Sequence, residues 1–553
     1  MSGPARGAGS DPARGAGSGG GRPRLDYVSP LPPVRSGISD YSVDLLPHLE
    51  PLCNLRVVAL PGQEVADEIA ERWQPVAATA CGEDGRLPLY QMGNNSHHEG
   101  VLELALERPG VLTLHDMVLH HLLVEATIAH GRNEHMDAYR EWLARDHGWV
   151  GDEAGAARYW TELGEAAMFS LAGHRTLLRR QRGVLVHNRW AADRVVEQCG
   201  ELAIGVVPMG VPLPLRPDPA ARAAFRERLG VGSEMPLLGS FGFQTPIKRT
   251  GVAVRALARP ELAAAHLVVA GEVSRILDLE AEAAAAGVAD RLHVTGFLDA
   301  DEFQAAIAAC DLCLNLRYPT AGETSASLLR VLAQGRPAVV SDYAQFRELP
   351  EEVAVKVPLG EAEEEALAEA VGELLASPER LADMSRAARE HVRRRHDPGR
   401  AAAAIVERCA EFAGLEPPGD TAVTLPPPSS LVWRRLAGEL EVEGAEAPWP
   451  EGERRRLRLR LRNDGFGRWL RTREKNLGGV WVEIHWRSHL RQPDVGTQWV
   501  QLQRDLAPGE SVELEAEVRR PLGVSYLIVE PHLLGVAGFN ALGGPNWVNE
   551  IPA

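Results

Sequence analysis

The sequence predicts two α/β domains, each built on a parallel sheet, followed by an antiparallel β-sandwich. Over residues 25–413, short apolar segments alternate with Ala-, Leu- and Glu-rich helical stretches, and this alternation is typical of strands joined by crossing helices. Over 456–462, Arg and Leu alternate instead, which predicts a strand with one buried and one solvated face. A chain of 553 residues is long enough to bury several separate cores.

The first α/β domain is expected over residues 25–205. Its apolar segments predict strands at 24–27, 55–60, 87–92, 110–114 and 183–187. Residues 117–180 contain no Pro and are rich in Ala, Leu and Glu, which predicts a helical insertion after the fourth strand. Residues 1–24 contain a repeated Pro-Ala-Arg-Gly-Ala-Gly-Ser segment. Because such a composition cannot bury a core, we predict a disordered tail.

The second α/β domain is expected over residues 206–413, ahead of a linker and the sandwich. Its apolar segments predict strands at 237–241, 266–269, 292–294, 312–316, 338–340 and 353–357. Residues 414–430 contain five prolines and predict a linker. Residues 431–553 combine period-two segments, turn sequences and seven Trp, which predicts an immunoglobulin-like β-sandwich without the disulfide.

Residues 317–350 give the clearest indication of function in the sequence. A strand leads into a polar loop, a helix begins near 323–325, and Gly335 ends that helix before the next strand. In such βαβ units the ligand lies outside the carboxyl end of the strand, against the first turn of the helix. The free N–H groups of that turn suit phosphate oxygens, and the Glu323 carboxylate suits sugar hydroxyls. The segment therefore predicts a nucleotide-sugar pocket.

This segment resembles the donor-binding loop and helix of retaining GT-B glycosyltransferases of family 4, the glycosyl transferases group 1. Four other segments resemble motifs of that family in the same order: a glycine loop at 32–41, a His-Asp segment at 112–116, a hinge at 207–211 and a basic phosphate loop at 242–249. The resemblance covers residues 25–412. It implies the GT-B fold, in which two Rossmann-like domains face each other across a cleft and a terminal helix (399–413) crosses back onto the first domain.

The donor diphosphate is expected at Lys248 and Arg249, because an ammonium group and a forked guanidinium suit two adjacent phosphates. Ordinary surface charge is the alternative for this pair. Gly37 and Gly242 lack a Cβ, so their backbone N–H groups can approach a phosphate closely, although plain turn glycines are common. The resemblance adds three donor-binding residues of the polar loop, Gly322, Thr324 and Ser325.

Glu323 stands, by resemblance, for the first Glu of the family's Glu-x7-Glu motif, which contacts the donor sugar. The second Glu would fall on Val331 or, if matched on the preceding Leu-Leu pair, on Arg330. Neither residue is acidic. Since that Glu binds the nucleotide ribose in the family, the ribose contact and the base stay open. Helix capping is the alternative role for Glu323, because acidic residues favour first turns.

The resemblance implies that His115 and Asp116 lie beside the donor sugar and orient the reacting groups. It also implies retention of configuration, in which the acceptor attacks from the side of the departing phosphate and a phosphate oxygen takes the acceptor proton. Asp40, just past Gly37, and Asn94 and Asn95, after another strand, are candidates for the acceptor side.

No metal or other cofactor is expected at this site. The Asp-x-Asp string at 299–301 lies at a predicted helix start, where acidic residues commonly cap. The balance of 59 basic to 76 acidic residues argues against general nucleic-acid binding. Six scattered cysteines predict buried, reduced thiols and neither a disulfide framework nor a zinc site.

We predict a glycosyltransferase of bacterial polysaccharide or glycoconjugate biosynthesis, with a nucleotide sugar and a glycan or lipid-linked acceptor as partners. The lack of a membrane-length apolar run and of a signal-peptide core predicts a cytoplasmic protein. Contact with the inner membrane surface through a lipid-linked acceptor stays open. The alternative is a catalytically altered sugar-binding or scaffold protein that uses the Trp-rich sandwich; Lys248, Arg249 and Glu323 favour the enzyme.

Overall fold

The computed structural model describes most of the chain, and we call this part the described residues. They are 22–130, 133–159, 165–213, 219–419, 425, 437–465, 467–471, 479–489, 495–533, 537–539 and 545–551. The predicted tail lies outside them up to residue 21, and so does most of the predicted linker from residue 420 onward. Within the described residues, no helix combines the length and the apolar character needed to cross a bilayer.

The first α/β domain contains a seven-stranded parallel sheet. Its strands are β1 (Arg24–Val28), β2 (Asn54–Ala59), β3 (Val76–Ala77), β4 (Leu87–Met92), β5 (Val111–Leu114), β6 (Gly183–Val186) and β7 (Ile204–Val206). They lie in the order β3-β2-β1-β4-β5-β6-β7. All five predicted strands are present. The short strands β3 and β7 are missed by the sequence prediction, because segments of two and three residues carry no recognisable period.

The second α/β domain contains a six-stranded parallel sheet. Its strands are β8 (Leu237–Phe241), β9 (His266–Ala270), β10 (Leu292–Gly296), β11 (Leu312–Asn315), β12 (Ala338–Ser341) and β13 (Ala354–Val357). They lie in the order β10-β9-β8-β11-β12-β13, and each corresponds to a predicted strand. Strands such as β8 and β12 are buried along their whole length. This explains why they are continuous apolar segments in the sequence.

Helices connect the parallel strands and cover the two sheets. Those of the first domain are α1 (Gly37–Leu49), α2 (Asp67–Trp73), α3 (Glu99–Glu107), α4 (His120–Ala126), α5 (Asn133–His147), α6 (Trp149–Tyr159), α7 (Glu165–Ser170), α8 (Arg175–Leu178) and α9 (Arg189–Cys199). Those of the second are α10 (Pro219–Leu229), α11 (Thr250–Ala256), α12 (Leu279–Ala286), α13 (Ala300–Ala309), α14 (Ala326–Ala333), α15 (Glu363–Leu375), α16 (Pro378–Arg395) and α17 (Pro398–Phe412). Helices α4 to α8 form the insertion expected between β5 and β6.

One apolar core joins the two α/β domains. Leu45 of α1 belongs to the same buried cluster as Leu328 and Leu332 of α14. Helix α17 extends this core onto the first domain, because Phe412, which is 3% exposed, packs against Gly183 of β6. The last helix of the second domain therefore holds the first sheet, and this contact is expected to stabilise the pair of domains.

The C-terminal region contains two antiparallel sheets that share one core. One consists of β14 (Gly438–Glu443), β15 (Arg454–Asn463) and β18 (Ser511–Arg519). The other consists of β16 (Val480–Arg487), β17 (Gly496–Gln501), β19 (Tyr526–Leu533), β20 (Ala537–Gly538) and β21 (Trp547–Glu550). Trp449, Trp469 and Trp486 are buried between them. The antiparallel sheet region is confirmed, while the immunoglobulin-like type stays a prediction.

Replacing Phe412 with Ala should lower the free energy of unfolding of the α/β part by about 3–5 kcal/mol, because a large side chain leaves a cavity in the shared core. Urea unfolding followed by intrinsic fluorescence measures the change. Leu415 lies just beyond the helix and is 40% exposed, so Leu415→Ala is the matched control and should change the free energy by less than about 0.5 kcal/mol. Equal effects of both changes would show that α17 does not hold the domains together.

Candidate functional site

The cleft lies at the carboxyl ends of both parallel sheets. In doubly wound sheets, ligands bind at this edge where the strand order reverses. In the first sheet the reversal falls between β1 and β4, whose ends lead to Gly37 and Asn94. In the second it falls between β8 and β11, whose ends lead to Gly242 and Arg317. The topology therefore places the segments that follow β1, β4, β8 and β11 at the cleft.

The polar loop after β11 is docked on the first domain. The Ala321 carbonyl accepts a hydrogen bond of 2.6 Å from the Met117 N–H. The Asn188 side-chain amide donates to the Gly322 carbonyl at 3.2 Å and to Thr324 Oγ1 at 3.1 Å. Gly322 has a φ of +79°, and a Cβ there would lie 2.9 Å from Met117 Cβ, so glycine is required. Gly322 and Thr324 thus hold the loop in place, and their donor contacts stay predictions.

Glu323 lies before helix α14 and does not cap it. The helix begins at Ala326, and the capping group is Ser325 Oγ, which accepts a hydrogen bond of 3.3 Å from the Leu328 N–H. Ser325 also donates to Asn315 Oδ1 at 3.1 Å. The helix-capping alternative for Glu323 is therefore wrong. Ser is among the preferred capping residues, so its side chain is already used, and its donor contact stays a prediction.

Four ionisable side chains from both domains form one electrostatic group, which we call the cleft cluster: Asp116, Lys248, Arg317 and Glu323. The Glu323 carboxylate accepts hydrogen bonds from the Arg317 guanidinium and, at 2.9 Å, from the Thr320 hydroxyl. The charges of Arg317 and Glu323 act on Lys248 and also on Asp116. The structure thus brings together three predicted residues and adds Arg317.

Lys248 is the cation at the end of β8. Its ammonium group donates to the Phe241 carbonyl and lies above Gly242, where an added Cβ would be 2.8 Å from Nζ. Gly242 has a φ of +88°, which also favours glycine. Burial and the Arg317 charge lower the pKa of Lys248 to about 7, while the Glu323 charge opposes this shift. At neutral pH Lys248 is therefore partly neutral, and a nearby anion would favour its charged form.

Asp116 is the acid that the first domain contributes. Burial and the Glu323 charge raise its pKa to about 7, while the Asn94 N–H, 2.8 Å from Oδ2, and the Arg317 charge lower it. A carboxyl group that titrates near neutral pH can donate or accept a hydrogen bond with a hydroxyl group. Strongly shifted pKa values in a cleft are typical of functional sites.

Arg249 does not join the cleft cluster. Its Nε lies 2.7 Å from both carboxylate oxygens of Glu363, whose side chain is 1% exposed. Breaking this pair would leave a buried charge without its partner, which is costly. The Arg249 guanidinium is therefore already engaged, and its diphosphate contact stays a prediction. The cation that lies in the cleft cluster is Arg317, which the sequence analysis missed. Its position after β11 is the feature that could have identified it, because ligands bind at that edge.

His115 belongs to a buried hydrogen-bonded chain. His187 Nδ1 lies 2.9 Å from the Val207 carbonyl, so this nitrogen carries a proton and donates. His187 Nε2 then accepts from His115 Nδ1 at 3.2 Å. His115 Nε2 lies 2.9 Å from Gln91 Oε1. Because this nitrogen is then left to accept, the Gln91 amide is assigned with its NH2 group turned towards the ring. Burial lowers the pKa of both imidazoles, that of His187 to about 4. Both ring nitrogens of His115 are thus engaged, and its predicted role beside the donor sugar stays a prediction.

The asparagines proposed for the acceptor side have local structural partners. Asn94 Oδ1 accepts a hydrogen bond of 3.0 Å from the Leu122 N–H, at the start of α4. Asn95 Oδ1 accepts one of 3.0 Å from the His97 N–H, which caps a short turn. These side chains fix the loop that follows β4, and a direct acceptor contact stays a prediction for both.

Helix α1 is tied to the second domain by an ion pair. Arg330 Nη2 on α14 lies 3.1 Å from Asp44 Oδ2, and the Arg330 charge also acts on Asp40, one turn earlier. Arg330, one of the two positions on which the second motif Glu could fall, therefore bridges the domains. Nothing lies within 4 Å of a Cβ built on Gly37, so the start of α1 is open. The roles of Gly37 and Asp40 stay predictions.

The cleft cluster can bind an anion and hydroxyl groups together. Lys248 and Arg317 supply positive charge, and Glu323 and Asp116 supply oxygen atoms that accept hydrogen bonds from hydroxyls. Within the described residues, the group of His and carboxylate side chains with metal-ligand spacing lies elsewhere, in the sandwich. The predicted Asp-x-Asp cap is present, since Asp299 Oδ1 accepts from the Glu302 N–H at 2.9 Å.

Comparisons with known proteins point to the same segment. Residues 236–377, which span β8 to α15, match the family described as Glycosyl transferases group 1. The chain is 35% identical over 154 residues to 2-deoxystreptamine glucosyltransferase of Streptomyces kanamyceticus. That match covers 27% of this chain and 37% of the relative, so it spans less than two fifths of that enzyme's length.

Two solved structures of Anabaena HepE resemble the fold. One is a complex with UDP and glucose and has a TM-score of 0.51; the other is a complex with UDP and has a TM-score of 0.50. Each is 16% identical, and the likeness covers 70% of this chain and 100% of HepE. At this identity the likeness shows the fold alone. The predicted GT-B arrangement of two Rossmann-like domains is thereby confirmed.

The pKa of Lys248 should be about 7 and should respond in opposite directions to two neighbours. Glu323→Gln should lower it further, because the carboxylate favours the ammonium form, and Arg317→Met should raise it, because a like charge is removed. The chain has only three lysines, Lys248, Lys356 and Lys475. Carbon NMR of protein labelled at lysine Cε therefore gives a few signals, and Lys248→Arg identifies the relevant one. Shifts of the same sign in both variants would contradict the cleft cluster.

Proposed function

We propose that this protein is a glycosyltransferase that moves a sugar from a nucleotide-sugar donor to an acceptor hydroxyl. The observation that supports this proposal most directly is the cleft cluster. It lies where the strand order of the second sheet reverses, within the segment that matches the glycosyl transferases group 1. We further propose that transfer proceeds with retention and without a metal, in bacterial polysaccharide or glycoconjugate biosynthesis. Retention rests on the motif resemblance of the chain.

The donor diphosphate is proposed to bind at Lys248 and Arg317. In the free site, Lys248 is partly neutral and Arg317 is hydrogen-bonded to Glu323. A diphosphate would draw a proton onto Lys248 and compete for the Arg317 guanidinium, whose planar fork suits phosphate oxygens. Fixed cations in a water-poor cleft stabilise the charge that develops on the leaving phosphate. This is the contribution that a metal ion makes in other transferases.

The transferred sugar is proposed to lie between Glu323 and Asp116. Both carboxyl groups belong to the cleft cluster and can hold sugar hydroxyls. The acceptor hydroxyl attacks from the face of the departing phosphate, and a phosphate oxygen takes its proton. His115 acts through its hydrogen-bonded chain by keeping the adjoining Asp116 backbone in place. The acceptor is proposed to be a glycan or a lipid-linked sugar, and the latter would bring the protein to the inner face of the membrane.

The first donor to test is UDP-glucose. The solved HepE structures contain UDP, and the Streptomyces relative is a glucosyltransferase. Because neither Arg330 nor Val331 is acidic, the ribose hydroxyls are proposed to bind partners other than the second motif acid. ADP, GDP, CDP and dTDP and their sugars therefore belong in the same series.

Nucleotide binding should stabilise the protein and take up a proton. UDP with EDTA present should raise the melting temperature by mass action, and Lys248→Ala should abolish that rise. Bound diphosphate raises the pKa of Lys248 above its free value of about 7. The nucleotide affinity is therefore highest below about pH 7. It falls, by up to about tenfold per pH unit, as the pH rises from the pKa of Lys248 in the free protein to its pKa in the complex. Calorimetry in buffers of different ionisation enthalpy measures the proton uptake.

Lys248→Arg is the matched control, since a guanidinium stays charged and should remove most of this pH dependence. Affinity of the unchanged protein that is constant from about pH 6.5 to 8.5 would contradict the diphosphate role of Lys248. If none of the nucleotides raises the melting temperature of folded protein, the sugar-binding or scaffold alternative replaces the enzyme.

Glu323→Gln should reduce sugar transfer by about two orders of magnitude or more, because a contact at the reacting sugar counts most in the transition state. The loss of transfer should exceed any loss of UDP affinity. Glu361→Gln, which changes an exposed carboxylate of the same domain, should leave transfer unchanged. Proton NMR of the product reports its anomer, and an α-linked donor should give an α-linked product. A β-linked product would overturn retention while leaving transferase activity in place.

A further inference from the structure

The Glu323 carboxylate is held at both of its oxygen atoms. The Arg317 guanidinium donates a hydrogen bond to Oε1, and the Thr320 hydroxyl donates one of 2.9 Å to Oε2. The Glu323 side chain is 17% exposed, and Thr320 is buried. Hydrogen bonds to a charged acceptor are stronger than neutral ones. The Thr320 hydroxyl therefore takes part in fixing the group that we propose to hold the transferred sugar.

The hydrogen atom of the Thr320 hydroxyl is directed to Glu323 by two other contacts. The Gly322 N–H donates to Thr320 Oγ1 at 3.0 Å, and Gln345 Nε2 donates to the same atom at 3.0 Å. A hydroxyl oxygen has two lone pairs and one hydrogen. Because both lone pairs are engaged, the hydrogen is left for the carboxylate of Glu323. Gln345 Oε1 lies 3.5 Å from Oγ1, which is too far to compete.

The orientation of the Gln345 amide follows from a backbone contact. Gln345 Nε2 lies 2.8 Å from the carbonyl oxygen of Glu323. Since a carbonyl oxygen only accepts hydrogen bonds, the NH2 group of the amide must face it. Gln345 is 6% exposed, so water competes little with these bonds. One buried side chain thus binds both the backbone of Glu323 and the hydroxyl that holds its carboxylate.

The backbone directly before Gln345 has an unfavourable conformation. Ala344, in the segment that follows β12, has a φ of +50° and is 7% exposed. A left-handed conformation is costly for a residue with a Cβ. Such residues persist where the surrounding structure fixes them, and they cluster at functional sites. This conformation is therefore consistent with a functional use of the contact between Gln345 and the loop after β11.

We propose that Gln345 is a positioning residue for sugar transfer, which orients the Thr320 hydroxyl so that this hydroxyl fixes the Glu323 carboxylate. The inference rests on the proposed function, in which Glu323 contacts the transferred sugar. In that function the donor diphosphate competes for Arg317, so the Thr320 bond is the one that continues to hold Glu323 when the donor binds. A polar group fixed before the reaction needs no reorganisation in the transition state, which is where it contributes most.

Substitutions at Thr320 and Gln345 test this chain of hydrogen bonds. Thr320→Val removes the hydroxyl, whereas Thr320→Ser keeps it. Thr320→Val and Gln345→Leu should each lower kcat for sugar transfer by about tenfold or more, because a hydrogen bond to a charged group is lost. The Kd for UDP should change by less than about threefold, and Thr320→Ser should retain at least about a third of kcat.

Gln181→Leu is the matched control for loss of a buried glutamine. Gln181 is fully buried and bonds to backbone groups of Ala105, Gly110 and Leu177 in the first domain. The change should therefore lower stability and leave the kcat of folded protein unchanged. Equal kcat values for Thr320→Val and Thr320→Ser would overturn the proposal, since the hydroxyl would then have no part in transfer.

The pKa of Lys248 tests the same chain of hydrogen bonds without a transfer assay. The Glu323 charge raises this pKa, so a carboxylate that is held less firmly should let it fall in Thr320→Val and Gln345→Leu. The pKa should stay unchanged in Thr320→Ser and Gln181→Leu, as measured by the lysine carbon NMR. Values in Thr320→Val and Gln345→Leu that equal that of the unchanged protein would overturn the proposal. If the unchanged protein transfers no sugar from any donor, the proposed function fails, and these pKa values alone decide whether Gln345 positions Glu323.

Discussion

The docking of the loop over residues 317–325 onto the first domain is the interaction on which the proposed site depends. The hydrogen bond from the Met117 N–H to the Ala321 carbonyl and those from Asn188 hold the loop there. This contact places Glu323 of one domain where its charge acts on Asp116 of the other. These bonds use the Ala321 and Gly322 carbonyls and the Thr324 hydroxyl, so they fix the position of the loop without using the charged side chains of Arg317 and Glu323.

The same closeness explains the charge state of the cleft cluster. Two cations and two acids lie in a poorly solvated place, where an unpaired charge is costly. The structure meets this cost by pairing Arg317 with Glu323 and by shifting the pKa values of Lys248 and Asp116 to about 7. The free site is therefore close to neutral. The proposed diphosphate would add negative charge and draw a proton onto Lys248, so its binding and the protonation of Lys248 would be coupled.

Much of the fold is predictable from the sequence. Buried parallel strands are continuous apolar segments, and each motif can be recognised from a short stretch of the chain. The site is predictable only in part. Arg249 and Arg317 both follow strands, yet Arg249 pairs with Glu363, 114 residues further along the chain, and Arg317 turns to Glu323. Such long-range pairing leaves no local pattern. Asn94 and Asn95 likewise bind neighbouring N–H groups, a common use of asparagine that residue type alone cannot distinguish from ligand binding.

Arg330 shows how the altered motif is accommodated. The basic side chain of Arg330 lies near two acids. It forms an ion pair with Asp44, and its charge also acts on Asp40. The change in sign on α14 is thus matched by carboxylates on α1, and the position joins the two domains. Because both partners remain partly exposed, at 25% and 23%, the pair contributes modestly to stability. Its main consequence is for recognition. In the proposed function, donor selection would rest on the diphosphate and sugar contacts of the cleft cluster, since neither Arg330 nor Val331 can act as the acid that holds the ribose.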